Sequence, residues 1–183
     1  MRHALKPIDP PYDEPLASIF ARYPTGADGK LLSLFRVFAN SPRFAGGRGV
    51  ANLLDAGSPI SLRHREIAIL RVTALYDCEY EWGVHVSVFS GKAALNDEQV
   101  QATRSLAADA PCWQPEEALL IRVVDELCAN ANLTTTTLAA FQSAWDEAQQ
   151  LEIMAIVCHY QLVSCVANVA RLANEPGAAH FPT

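Results

Sequence analysis

Residues 61–91, SLRHREIAILRVTALYDCEYEWGVHVSVFSG, decide the fold of this 183-residue chain, because they predict two helices joined by a tight corner. Ser61 is a favourable helix N-cap, and the apolar residues after it fall on one wide stripe of a helix. That stripe consists of Leu62, Ile67, Ile69, Leu70, Val72 and Leu75. Tyr76 and Asp77 predict the corner, and Gly91 predicts the end of the second helix.

Four side chains of this hairpin can ionise or move a proton: Glu66, Cys78, Glu81 and His85. On a second helix from about Cys78 to Ser90, the last three stand at positions i, i+3 and i+7 and share one face. A carboxylate and an imidazole four residues apart can hydrogen-bond, which fixes the tautomer of the imidazole. The helix dipole favours the Cys78 thiolate and the Glu81 charge opposes it, so the sequence leaves the direction of the thiol's pKa shift open. Glu66 lies on the first helix, and only tertiary packing can bring it to the others.

The composition is that of an ordinary globular domain, with half of the residues apolar and 19% charged. A formal net charge of −6 and the lack of any basic run disfavour a nucleic-acid or anionic-membrane partner. The prolines of residues 1–12 predict an extended N-terminal arm, and residues 13–183 then form one helical domain.

The five cysteines favour a reducing compartment, since none forms a Cys-x-x-Cys pair and their number is odd. The N-terminus has no apolar signal-peptide core, so a cytoplasmic location is expected. The apolar run of residues 153–170 carries polar side chains and fits a buried helix better than a membrane span. Cys158 and Cys165 on this run are expected to face the core, and for the neighbouring His159 and Tyr160 packing is favoured over a site-lining role.

The rest of the chain also predicts helices, and no window alternates with the two-residue period of a strand. Asp13 can cap a first helix that runs to about Tyr23. Ser41 and the proline after it start another, which is expected to pass through several glycines to Leu54. The fold class is therefore all-α, a single bundle of about eight or nine helices.

The pattern Glu66-x11-Cys78-x2-Glu81-x3-His85, with CEYEW at residues 78–82, resembles the carboxymuconolactone decarboxylase superfamily. This superfamily includes the alkylhydroperoxidase D-like (AhpD-like) proteins, and the resemblance is strongest over residues 62–91. It implies an AhpD-like helical fold that assembles as a homo-oligomer, in the form of a dimer, trimer or hexamer.

One position departs from the peroxidase branch of that superfamily. The branch carries Cys-x-x-Cys between a Glu and a His, and its second cysteine attacks the peroxide. Here Glu81 replaces that second cysteine, so the motif cannot form its own disulfide. The lactone decarboxylase branch has Glu-x3-His without cysteines, which Glu81 and His85 match.

The favoured function implied by the resemblance is a thiol-dependent peroxidase with an antioxidant role. Cys78 would be its single redox thiol, Glu66 and His85 would relay protons, and Glu81 would orient His85. The substrate would be a hydroperoxide, and an external thiol reductant or a distant cysteine would resolve the sulfenic acid.

Two alternatives stay open. In the first, Glu81 and His85 perform cofactor-independent acid–base decarboxylation or isomerisation of a lactone or keto acid. In the second, the protein is a non-catalytic helical oligomer. Arg63 and Arg71 flank Glu66 in the sequence and are expected to balance its charge or to hold a carboxylate substrate. Cys, Glu and His are zinc ligands, but their spacing is not typical of a zinc site, so neither a metal nor a cofactor is expected.

Overall fold

The computed structural model describes residues 6–23, 31, 33–46, 57–105 and 107–182. These residues form nine helices and no strand, which confirms the all-α class. The helices are α1 (Leu16–Phe20), α2 (Ser33–Phe38), α3 (Pro42–Ala45), α4 (Leu62–Leu75), α5 (Glu79–Phe89), α6 (Asp97–Ser105), α7 (Pro115–Asn130), α8 (Thr135–Ala144) and α9 (Glu147–Ala170).

Helix α4 is the centre of the bundle, because α5, α6, α7 and α9 all pack around it. Every residue from Arg65 to Ala74 is buried, including Glu66 and both arginines of this stretch. A helix that is covered on all sides has no solvent face, which explains why its apolar stripe is so wide. Polar groups on such a helix need partners inside the protein.

The predicted hairpin is confirmed as α4 and α5. The Ser61 hydroxyl caps α4 by accepting a hydrogen bond from the His64 amide at 3.1 Å. At the corner Asp77 takes a left-handed backbone conformation with φ of 51°. The Cys78 amide then donates to the Thr73 carbonyl at 2.8 Å, which closes the turn. Cys78 is thus the N-cap of α5 rather than a residue of its first turn.

The N-terminal part has a smaller apolar cluster of its own, built around Phe20, Ala39 and Ala45. Helix α1 is shorter than predicted, because it begins at Leu16 and ends at Phe20, and the Asp13 side chain does not cap it. Helix α3 begins after the Ser41 cap as predicted. Its predicted continuation to Leu54 and the first five residues of the predicted arm lie outside the described residues.

A C-terminal tail, residues 172–182, runs across the outer face of α5. The Phe181 amide donates to the Glu79 carboxylate at 2.8 Å, and the Phe181 ring lies 5.2 Å from the Trp82 ring. The Ala179 amide donates to the Gly83 carbonyl at 3.3 Å. A Cβ atom on Gly83 would stand 2.2 Å from the Ala179 carbonyl oxygen, so glycine is required for this close approach.

Helix α9 is the one described helix that is long and apolar enough to cross a membrane by length and composition. Its N-terminal half is buried in the bundle and includes Glu152, which pairs with Arg43 at 3.3 Å. The expected buried role is confirmed for that half. Its C-terminal half exposes three aliphatic side chains: Leu162, Val166 and Val169.

Candidate active site

The centre of the site is a buried pair that joins the two helices of the hairpin. Glu66 is fully buried on α4, and its Oε2 atom lies 2.8 Å from Nδ1 of His85 on α5. His85 is itself only 4% exposed. The packing of α4 against α5 is what brings Glu66 to His85. A carboxylate at Nδ1 holds the proton on that nitrogen and leaves Nε2 as the free base.

The other ring nitrogen of His85 faces two further groups. The Tyr160 hydroxyl on α9 donates to Nε2 at 3.1 Å, and the two rings meet edge to face at 5.2 Å. The Glu81 carboxylate lies 3.9 Å from the same nitrogen, which is ion-pair range but beyond a hydrogen bond. Glu66 therefore fixes the orientation of the imidazole. The expectation that Glu81 orients His85 is wrong. Glu81 is the more exposed of the two, with 20% of its side chain accessible.

Arg65 supplies positive charge next to the pair. Its Nε lies 3.1 Å from Oε1 of Glu66, and the side chain is buried, with its guanidinium over the Phe89 ring. A buried carboxylate is stable only with such partners, so Arg65 and His85 together keep Glu66 in the interior.

The two arginines that flank Glu66 in the sequence pair with other carboxylates, so the expectation that they balance its charge is wrong. Arg63 pairs with Glu117 at 2.5 Å, and Arg71 pairs with Asp125 at 2.6 Å. Both therefore lock α4 to α7. Hydrogen bonding to Arg63 and to the Gln114 amide outweighs burial and lowers the pKa of Glu117.

Cys78 is completely buried at the start of α5. Burial is the main cause that raises the pKa of its thiol, and the Glu81 charge raises it further. The Glu81 backbone amide and the Ser164 hydroxyl act in the opposite direction but do not outweigh burial. The resting group is thus a neutral thiol, which is a poor nucleophile.

Tyr160 stays protonated at any physiological pH. Burial, followed by the negative charges of Glu66 and Glu81, raises the pKa of its hydroxyl far above the ordinary value. A phenol of this kind donates a hydrogen bond and keeps its proton.

The remaining cysteines lie away from this centre. Cys158 and Cys165 are exposed on α9, so the expectation that they face the core is wrong. Cys112 and Cys128 are partly buried, and all five cysteines are free. Among the described residues, no three His, Cys, Asp or Glu side chains are grouped so that they could hold a metal ion.

The sequence did not identify Arg65 or Ser164 as parts of the site, and it ranked packing above a site-lining role for Tyr160. For Tyr160 the one signal was a phenol on a mostly apolar helix that carries a few other polar side chains. Ser164 is a less certain member of the site than Tyr160. Its hydroxyl is buried beside Cys78 but makes no hydrogen bond of ordinary geometry. A serine in a long apolar helix carries no pattern that distinguishes it from a packing residue.

The described residues therefore form an all-helical protein with a buried Glu–His pair on its central hairpin. Residues 48–126 match the sequence model of the carboxymuconolactone decarboxylase family, which confirms the resemblance predicted from the hairpin motif. This segment contains Glu66, Cys78, Glu81 and His85 but not Tyr160.

A solved structure confirms the AhpD-like fold. It is an uncharacterized peroxidase-related protein from Silicibacter sp. TM1040, and the two chains align with a TM-score of 0.63. The alignment covers 95% of this chain and 94% of that one at 13% sequence identity, so the likeness concerns the fold alone. No curated protein matches the chain at a significant level.

Proposed function

We propose that the protein is a cofactor-independent acid–base enzyme that acts on a small carbonyl compound such as a lactone or keto acid. The observation that carries the proposal is the Glu66–His85 pair, in which Glu66 holds Nδ1 at 2.8 Å and Nε2 faces the Tyr160 hydroxyl. General acid–base catalysis of this kind contributes typically about 10²–10⁴-fold to a rate.

Each member of the site has a separate task in this proposal. His85 Nε2 removes a proton from the substrate, and Glu66 stabilises the imidazolium that forms. Arg65 balances the charge of Glu66 in both states of the imidazole. Glu81, partly exposed and 3.9 Å from Nε2, exchanges the proton with solvent or returns it to the product.

The second candidate is the thiol-dependent peroxidase. It is favoured by the two groups that lower the pKa of Cys78, the Glu81 amide and the Ser164 hydroxyl. The Cys78 thiolate would attack the hydroperoxide, releasing an alcohol and leaving a sulfenic acid for an external thiol to reduce. We place it second, because the net pKa shift of the thiol is upward.

The deciding experiment compares three variants on both substrate classes: His85→Ala, Cys78→Ser and, as the matched control, His64→Ala. His64 lies on α4 but contacts Trp145 and Glu116 instead of the site. Loss of lactone or keto-acid turnover in His85→Ala alone supports acid–base catalysis. Loss of hydroperoxide consumption in Cys78→Ser supports the peroxidase and overturns the first proposal. A folded wild-type protein inactive on both classes would indicate a non-catalytic helical protein.

We also propose a cytoplasmic homo-oligomer. Five free cysteines suit a reducing compartment. Leu162, Val166 and Val169 lie three or four residues apart on α9 and are exposed, so they give a second copy an apolar surface to cover. Light scattering that gives the mass of a single 19.9 kDa chain would contradict this assembly.

A further inference from the structure

The Tyr160 hydroxyl occupies the hydrogen-bonding position at Nε2 of His85. Glu66 holds Nδ1 of His85, so Nε2 is the only ring nitrogen that can accept a proton. In the resting protein Tyr160 donates to that nitrogen at 3.1 Å. A substrate whose C–H bond reaches Nε2 must therefore displace this hydrogen bond.

The displaced hydroxyl needs a new acceptor. Tyr160 is only 5% exposed, so water does not replace the lost bond freely, and a buried hydroxyl without a hydrogen bond is unfavourable. An acidic C–H bond in a lactone or keto acid is directly next to a carbonyl group. When the carbon stands at Nε2, its carbonyl oxygen is thus within reach of the group that has just left Nε2.

We propose that Tyr160 is a catalytic residue that donates a hydrogen bond to the enolate oxygen formed when His85 deprotonates the carbon next to a carbonyl. This inference rests on the acid–base function proposed above and narrows its substrates to enolisable carbonyl compounds. In the step, the C–H bond breaks and its proton moves to Nε2 of His85. The electron pair of the C–H bond forms the new C=C bond, and the π electron pair of the carbonyl moves to its oxygen, where the Tyr160 O–H stabilises the negative charge.

The surroundings of Tyr160 suit a donor that keeps its proton. Glu66 and Glu81 are both close enough to act on the hydroxyl electrostatically, and they disfavour a phenolate there. The same two charges also disfavour an enolate, so the site needs a donor to offset them. Arg65, which pairs with the other carboxylate oxygen of Glu66, adds a positive charge close to the site.

The test measures exchange of the acidic C–H hydrogen for solvent deuterium by NMR, on a panel of keto acids and lactones. The variants are Tyr160→Phe, His85→Ala and, as the matched control, Tyr80→Phe. Tyr80 donates to Glu175 on the surface at 2.7 Å, so its variant removes a hydroxyl outside the site. Loss of one oxyanion donor typically costs about 10²–10³-fold in rate. We expect this loss in Tyr160→Phe and wild-type exchange in Tyr80→Phe.

The outcomes separate the two proposals. Exchange that requires His85 but is unchanged in Tyr160→Phe overturns the role of Tyr160 and leaves the acid–base function standing. Exchange that is absent from the wild-type protein overturns both.

A second readout does not depend on turnover. Nitrophenolates resemble an enolate in charge and shape, and their absorbance reports the ionised form when bound. We expect Tyr160→Phe to bind 4-nitrophenolate at least tenfold more weakly than Tyr80→Phe does. Equal affinities, or no binding to the wild-type protein, would contradict the donor role.

Discussion

Oε2 of Glu66 and Nδ1 of His85 lie 2.8 Å apart in the interior, although the two residues are 19 positions apart in the chain. Both belong to one helical hairpin, so the pair forms as soon as α4 and α5 pack together. Tyr160 comes from α9 and adds the third member only when the bundle closes around α4.

Removal of Glu66 should strongly destabilise the fold. Glu66→Ala leaves Arg65 without its buried carboxylate, and breaking a buried ion pair on one side costs about 3–5 kcal/mol. Urea denaturation measures the free energy of unfolding. The control Glu98→Ala removes an exposed carboxylate from the first turn of α6 and should cost less than about 1 kcal/mol. Equal losses in the two variants would mean that the buried pair does not stabilise the protein.

A methyl group at position 83 should detach the C-terminal tail. In Gly83→Ala the new Cβ meets the Ala179 carbonyl oxygen at 2.2 Å, and overpacking of this kind costs typically about 1–3 kcal/mol. Gly91→Ala is the matched control, since nothing lies within 4 Å of its Cβ. Limited proteolysis should cut the tail faster in the first variant alone. Identical protease resistance of the two variants would contradict the tight contact at Gly83.

Cys78 should react slowly with alkylating agents. Burial raises the pKa of its thiol. Near pH 8 its thiolate fraction is therefore smaller than that of an ordinary cysteine, whose pKa is about 8.5. Iodoacetamide labelling, resolved by peptide mass spectrometry, should modify the exposed Cys158 and Cys165 first. The Cys78 rate should still rise above pH 9. A Cys78 rate that reaches its plateau below pH 8 would instead indicate an activated thiol and favour the peroxidase.

The free energy of unfolding should fall in alkaline solution. The pKa values of Cys78 and Tyr160 are raised in the folded protein, so folding favours their protonated forms. Their contribution is fully present below the unfolded pKa values, about 8.5 and 10, and is lost as the pH rises through the folded values. Denaturation at pH 8 to 11 measures the decline. In Tyr160→Phe the loss of stability above pH 10 should be smaller. An unchanged loss would contradict the raised pKa of Tyr160.

The hairpin could be predicted from sequence because its signals are local. Ser61 caps α4, the turn at Asp77 separates the helices, and the spacing of Glu81 and His85 puts them on one helix face. The helical class follows from the same kind of short-range periodicity.

The partners of the site residues could not be predicted, because they depend on which helix faces meet. Tyr160 is 75 residues from His85, and only the packing of α9 brings the two together. Among the arginines of α4, the direction of each side chain decides its partner, so Arg65 rather than Arg63 reaches Glu66. Cys165 is exposed because it lies on the face of this half of α9 that no other described helix covers, which hydrophobicity alone does not reveal.

The tail across α5 also sets an order of events during synthesis. Phe181 is added to the chain 102 residues after Glu79, the residue that its amide binds. At translation speeds of about 5–20 residues per second, the outer face of α5 stays uncovered for about 5 to 20 seconds. During that time Trp82 lacks the Phe181 ring, and the nascent hairpin is open to chaperones or to other chains on this face.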